Sequence, residues 1–345
     1  MGIQINGSSA AGNIDLGTNG TITDLAVGGI PDGTVDSDAL ASGLTLAGET
    51  TFNTTGSMQI PVGTTAQRPG SPSAGDTRFN STTSRVEFYT GSAWKQTNTD
   101  AEKVDVDYLV IAGGGAGGGN YRAGGGGAGG YRASWNNETS GGGASSETKL
   151  KLNLQTAYTV TVGAGGAGQA GDHGLNGGNS VFSTVTSTGG GGGGKYASNT
   201  AQSGGSGGGG AGHSGTTQPG GAGTANQGYA GGTGSPSING GGGGGGAGAT
   251  GNNAGTGGTD GDGGTGVAST ITGSSVTRGG GGGGSAGDGS GIGGAGGSGI
   301  VVLRLPSTYT VTFSGGVTSS TATVGSDKVY TITATSSTSE TVTFS

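Results

Sequence analysis

Runs of glycine constrain this chain more than any other feature: 75 of its 93 glycines fall between residues 111 and 299, in tracts such as Gly189–Gly194 and Gly279–Gly284. Glycine inside a helix costs about 1 kcal/mol per residue relative to alanine, so these tracts exclude α-helix wherever they occur. Collagen is excluded as well, because its triple helix needs glycine at every third position together with abundant proline. Here the glycines are contiguous and the prolines number 7.

The stretch "VDYLVIAGGGAGGGNYRAGGGG" places Gly113, Gly115 and Gly118 at GxGxxG spacing directly after a strand-like run. A dinucleotide site needs a helix at once after those glycines, to hold the pyrophosphate on its N-terminus. The residues that follow, "NYRAGGGGAGGYRASWNN", have no 3.6-residue apolar stripe, and Glu138 does not end a second strand. The run "GGGGGGKY" reaches a P-loop lysine at Lys195 but then offers Tyr196 where Ser or Thr must hold magnesium. Neither is a phosphate site, and no cofactor is expected.

Composition narrows the field further. Only 10% of the residues are charged, the net charge is −7, and cysteine is absent. Leu, Ile, Val and Phe are too sparse for a large apolar core, yet there is too little charge for disorder by self-repulsion. Something other than oil must order the chain. Without cysteine there is neither a disulfide framework nor a thiolate metal site. An acidic balance argues against nucleic acid. The start "MGIQINGSSAAG" lacks a basic region and an apolar core, so no secretory leader is expected, and no apolar stretch reaches membrane-spanning length.

Four regions are expected. Residues 1–58 are short Thr/Gly/Ser-rich segments, read either as thin strands and turns for fibre attachment or as a flexible linker. Residues 59–103 hold a small β-meander, with "DTRFN", "RVEFYT" and "GSAWKQ" as strands and Phe79, Val86, Phe88, Tyr89 and Trp94 as its large side chains. Residues 104–306 alternate strand-like segments with glycine tracts. Residues 307–345 are Thr/Val-rich with period-two alternation and read as a small antiparallel β module of three or four strands.

The tracts suit the polyproline-II conformation, which has three residues per turn and no internal hydrogen bonds. Every N–H and C=O then points outward and needs a partner. Without a Cβ, neighbouring tracts can approach until their backbones hydrogen-bond laterally. The expected fold is therefore mostly β with a polyglycine-II bundle and little or no α-helix; an unordered glycine-rich region is the alternative.

The elements "PVGTTAQRP", "GDTRFNSTT" and "VEFYTGSAW" together resemble a segment that recurs in bacteriophage tail-fibre and related virion proteins. "DYLVIAGGGAGGG" and "GGSGIVVLRLP" resemble the glycine-rich domains of tail-fibre proteins common in marine phages, and more distantly the fibre-tip adhesins of T-even-like phages. The resemblance implies an elongated, intertwined homotrimer on the virion, made in the host cytoplasm and joined to other virion proteins through its N-terminal region. It implies host attachment through loops between glycine tracts, on a surface polysaccharide or an outer-membrane protein. A purely architectural head fibre or baseplate-linked spacer is the other reading.

Hydrolysis of host polysaccharide would need paired carboxylates across a cleft. Asp172, Asp260, Asp262 and Asp288, with His173 and His213, are instead scattered through glycine loops. "DGDGG" from Asp260 matches only half a calcium loop, since Ile271 stands where the closing Glu belongs. No catalytic, cofactor or metal residue is assigned. The receptor-contact candidates are Tyr121, Tyr131, Trp135, Tyr196, His213 and Tyr229, because rings with a polar handle suit sugars and protein surfaces. The same residues could equally pack over tract ends or subunit contacts.

Overall fold

The computed structural model describes residues 59–97, 102–196, 201–213, 215–236, 240–255, 259–285 and 293–345. The expected N-terminal segment 1–58 and Asp288 lie outside the described residues. Among those described, strands dominate, and the only helices are three single 3-10 turns.

The first body is a four-stranded sheet in the order β1 (Val62–Gly63), β2 (Thr77–Asn80), β3 (Arg85–Tyr89), β4 (Trp94–Gln96). β1 runs parallel to β2, and β2 pairs antiparallel with β3 through Phe79↔Val86. The large apolar side chains of this meander do not make its interior. Phe88 is 39% exposed, whereas Arg78, Asn80 and Glu87 are buried. The Glu87 carboxylate receives Arg68 Nη2 at 2.6 Å and Asn80 Nδ2 at 2.9 Å, with Arg78 Nε 3.6 Å away. Arg78 in turn donates to the carbonyls of Gln67 and Thr64, pinning the incoming chain. With so little apolar surface, a buried ion-pair knot organises this sheet.

The Arg68 hydrogen bond, reinforced by Asn80, holds the Glu87 carboxyl at about 2. Its folded value lies below the usual ~4.3, so its stabilising contribution is complete above that pH and is lost as pH falls towards 2. Glu87→Gln should cost about 1–3 kcal/mol, by leaving the buried Arg78 and the half-buried Arg68 without their counter-charge. Hydrogen exchange at the Phe79 and Tyr89 amides, both bonded within this body, should show that loss and a flattened dependence between pH 5 and 2.

The second body begins with β5 (Lys103–Ile111), whose sequence explains its position. "VDVD" alternates, but "YLVI" is apolar at every residue, and a strand apolar on both faces must be covered on both. β6 is Tyr131–Ala133, β7 Leu150–Asn153, β8 Ala157–Thr161, β9 Ser180–Phe182 and β10 Val185–Ser187. β11 (Val267–Ser269) and β12 (Val276–Arg278) form a hairpin. They are followed by β13 (Ile300–Pro306), β14 (Val311–Phe313), β15 (Val317–Val324), β16 (Asp327–Thr335) and β17 (Thr341–Phe344).

One sheet runs β15-β16-β13-β5-β6, with β7 also paired to β5; the other runs β10-β9-β8-β17-β14. Between them lies a core of Val106, Tyr108, Val110, Leu303, Ile332, Phe182, Val342 and Phe344. The opposite face of β5 and β13 buries Leu109, Ile111 and Val302 against Tyr131, Ile271 and Ala247. The strands expected over 307–345 are joined to the strands before them. β16 pairs with β13, and β17 lies between β8 and β14, so residues 307–345 complete both sheets.

Glycine tracts leave these sheets and return to them, and their hydrogen bonds repeat every three residues. Along 113–119, Gly113, Ala116 and Gly119 donate to Gly178, Leu175 and Asp172; Gly114 and Gly117 donate to Gly297 and Gly294; Gly115 and Gly118 donate to Gly127 and Gly124. One tract thus serves three neighbours in rotation, as threefold polyproline-II geometry requires. The same rhythm recurs where Ser206, Gly209 and Gly212 donate to Ala128, Gly125 and Arg122. It recurs again where Gly241, Gly244 and Ala247 donate to Ser285, Gly282 and Gly279.

Space, not backbone torsion, demands glycine here. A Cβ built on Gly115 would overlap the Gly191 carbonyl, and one on Gly192 the Gly174 carbonyl, although neither has a positive φ. Gly115→Ala should therefore destabilise the second body by about 1–3 kcal/mol, as overpacking does. Gly70→Ala, at an open position, should leave its thermal midpoint unchanged; a Gly115→Ala midpoint equal to wild type would contradict the close approach.

Candidate functional site

The tracts have two ends. At one end they join the sheets: Ala112 bonds to Gly130, Gly130 to Thr188, Tyr131 to Gln227 and Ala247 to Gly279. At the other, Gly119 meets Asp172, Gly212 meets Arg122, His213 meets Ser235 and Ser285 meets Ala123. At most positions of the lattice between, no Cβ fits, and the six candidate residues divide between the two ends.

Tyr131, Trp135 and Tyr229 stand at the sheet end. Tyr131 is on β6 and fully buried, and burial pushes its phenol up to about 12, so its assignment as a surface contact is corrected. Trp135 is half-buried beneath Arg304, whose guanidinium carbon lies 3.9 Å from the ring centroid, and its Nε1 donates to Thr270 Oγ1 at 3.0 Å. Arg304 is itself tied to Asp327 at 2.8 Å. The half-buried Tyr229 has its backbone in the lattice, between Gly207 and Gly246, and turns its hydroxyl towards Gly143. A concavity of about 680 Å³ nearby is lined by Arg132, Ser145, Glu147 and Gln227. Its charges are already matched, with Arg132 Nη2 2.6 Å from Glu147 Oε2.

Tyr121, Tyr196 and His213 come together at the far end. The two tyrosine rings lie 4.6 Å apart at 34°, and Tyr196 lies 5.8 Å from the His213 ring. The Arg122 guanidinium carbon sits 5.2 Å from the Tyr121 centroid and 5.0 Å from that of Tyr196, within cation–π range of both. All four side chains are half-buried, leaving part of each ring to solvent. The turn that presents them is left-handed at Asn120 (φ 75°) and Arg122 (φ 57°). Such values are uncommon outside glycine and mark a turn held by its surroundings; here the Arg122 carbonyl is fixed by the Gly212 N–H at 2.8 Å.

Polar groups flank the rings. Asp172 accepts from the His173 backbone N–H at 2.8 Å and lies 3.1 Å from Lys195 Nζ and 2.9 Å from His173 Nδ1. The His173 N–H, followed by Lys195, holds the Asp172 carboxyl at about 2. His213 Nδ1 lies 2.6 Å from Thr216 Oγ1, which also receives Gln218 Nε2 at 3.0 Å. The arrangement offers aromatic faces, two cations and one carboxylate held by its neighbours, which suits binding. Among the described residues no three His, Asp or Glu side chains stand together as metal ligands.

Sequence reasoning missed Arg122 as the partner of these rings and Lys195 as the partner of Asp172. The signal was available in "NYRAGGGG" and "GGKYAS", where a cation adjoins each tyrosine at a tract end. Asp172 and His173 drew attention only as hydrolase candidates, and the structure gives them to the flank of the aromatic cluster.

A β-sandwich continued by a polyglycine lattice defines a glycine-rich structural domain. Residues 90–306 match the family described as a glycine-rich domain, and the chain belongs to that family. No curated protein matches the chain.

Trp135→Ala should lower stability by about 2–4 kcal/mol, through lost burial and the Arg304 contact, while the Tyr121–Tyr196 pair stays intact. Thermal denaturation together with tyrosine fluorescence at the far end checks both halves of this expectation.

Proposed function

We propose that this chain is a virion fibre protein that contributes to attachment of a bacteriophage to its host cell. The observation that supports this reading best is the sorting of rings by the lattice: Tyr121, Arg122, Tyr196 and His213 stand together, half-exposed, at the end remote from the sheets. A rigid backbone lattice would hold that cluster forward at little entropic cost on binding. The fibre resemblance of residues 59–97 supplies the setting: an external virion fibre, homotrimeric, joined to other virion proteins through residues 1–58. The partner would be a host surface polysaccharide or an outer-membrane protein. Weak contacts at each tip would add through multivalency.

The test uses the purified full chain on an array of bacterial lipopolysaccharides and capsular polysaccharides, and on intact bacteria. Wild type should bind a subset, and Tyr121→Ala/Tyr196→Ala should bind at least tenfold more weakly with an unchanged thermal midpoint, since central aromatic anchors commonly contribute ~2 kcal/mol. Binding that survives the double substitution would sink the assignment of this cluster. No binding to any surface, with the rings shielded from quenchers in the assembled protein, would replace attachment with a purely architectural role.

A further inference from the structure

A threefold tract has three donor and three acceptor directions, and so six neighbours when fully packed. Tract 123–130 has five. It bonds to 188–194 through Gly124 and Gly127, to 241–247 through Gly125 and Ala128, to 113–119 through Gly115 and Gly118, to 204–212 through Ser206 and Gly209, and to 279–285 through Gly282 and Ser285. Four of these are linked in sequence round it: 188–194 to 204–212, 204–212 to 241–247, and 241–247 to 279–285. Tract 113–119 closes the other side of the ring through Gly190 and Gly193. The sixth position therefore lies between 279–285 and 113–119.

Tract 113–119 independently lacks the same neighbour. Round it follow 123–130, 188–194, 172–178, 163–168 and 293–299, each bonded to the next. Its open position lies between 293–299 and 123–130. The two open positions coincide, and a groove of about 340 Å³ occupies them, lined by Gly114, Gly115, Gly126, Gly282, Gly283 and Gly297 among others. Its walls are almost entirely backbone. In the three-residue rhythm of 123–130 the open donor direction is that of the Gly126 set: Ala123 donates to Ser285 Oγ at 3.2 Å, and the Gly126 N–H has no partner among the described residues. The Gly115 carbonyl likewise receives no hydrogen bond from them.

Six of the residues bordering the groove are glycines that the packing within this chain does not require. A Cβ on Gly114, Gly117, Gly280 or Gly283 would come no nearer than 3.5 Å to any atom, and on Gly294 or Gly297 would meet nothing within 4 Å. None of them has the positive φ that would demand glycine. Inside the lattice the same construction collides with a carbonyl at nearly every position. Glycine is costly in an ordered backbone, so glycine beside open space points to something that comes close.

We infer that this groove receives a glycine tract from a second copy of this chain. Only a backbone without Cβ can reach both walls, accepting from Gly126 and donating to Gly115, and this chain carries such tracts in quantity. Tract 293–298 is mostly exposed and bonded only to 113–119 and 163–168, which makes it the readiest to enter a neighbour's groove. The lattice then continues from one copy into the next, independently of what the far-end rings bind.

Sedimentation velocity and light scattering of the full chain, over a wide concentration range, test this directly. Wild type should self-associate. Gly294→Val and Gly297→Val, which fit the single chain, should weaken association at least tenfold without moving the thermal midpoint of the dissociated protein. Gly70→Val, another open position outside the second body, should associate as wild type does. In the assembly, hydrogen exchange at the Gly126 amide should slow at least tenfold relative to the dissociated chain. A wild type that stays monomeric, valine variants that associate normally, or a Gly126 amide that exchanges equally fast in both states would each overturn the inference. Loss of association would leave cell binding by single chains measurable, so the two proposals fail separately.

Discussion

The lateral N–H···O=C bond between glycine tracts is the interaction on which the second body depends. An extended threefold backbone satisfies none of its own polar groups, so each tract is stable only among neighbours that satisfy them. Ordering costs about 1–2 kcal/mol per residue before any gain, and each bond returns about 0.5–1.5 kcal/mol net. Close packing must supply the rest, through dispersion between backbones in contact along their whole length. That closeness is available only without Cβ, as the collisions at Gly113, Gly124, Gly192 and Gly209 make plain. A chain so poor in leucine and valine can fold because backbone does the packing that side chains do elsewhere.

The sandwich gives this lattice its starting register. β5 leads into 113–119, 123–130 leads back into β6, β10 leads out into 188–194, and 293–299 enters β13. Strands pinned by Val110↔Val301 and Ile111↔Tyr131 fix where each tract starts and at what rotation. Without that template, several equivalent registers a few residues apart would compete, since one glycine resembles the next. The apolar residues are therefore concentrated where they decide register, in β5, β13 and the strands facing them.

The β framework, the tract conformation and the paucity of α-helix were legible from period-two alternation and from the glycine runs. Other features needed pairings that no local pattern reveals. β17 pairs with β8 across more than 170 residues of chain, so period-two alternation in the C-terminal segment showed its strands but not the sheet begun far upstream that they complete. Nothing in "RVEFYT" marks Glu87 as buried; that depends on Arg68 and Asn80 converging on it from elsewhere in the chain. Tyr121 and Tyr131 were treated alike, as rings with a polar handle between glycine tracts. Tracing the path separates them: the chain runs out from Ile111 to Gly119, turns at Tyr121 and returns through Gly130, so Tyr131 must be back at the sheet.

That path also sets what the lattice can carry. Seven residues of tract at about 3.1 Å each put the far-end turns roughly 20 Å beyond the strands. Little that is bulky fits between, so most large side chains are sent either to the sheets or to the turns, and Leu175, midway along its tract, is left on the outside of the lattice, 44% exposed. Residues at the turns hold on to the lattice mainly through main-chain groups, as the Arg122 carbonyl and the His213 N–H do. Their side chains are thereby released from structural duty, and a surface of rings and charges can be composed there without repacking the interior. The glycine that empties the middle of the molecule is what frees its end to specialise.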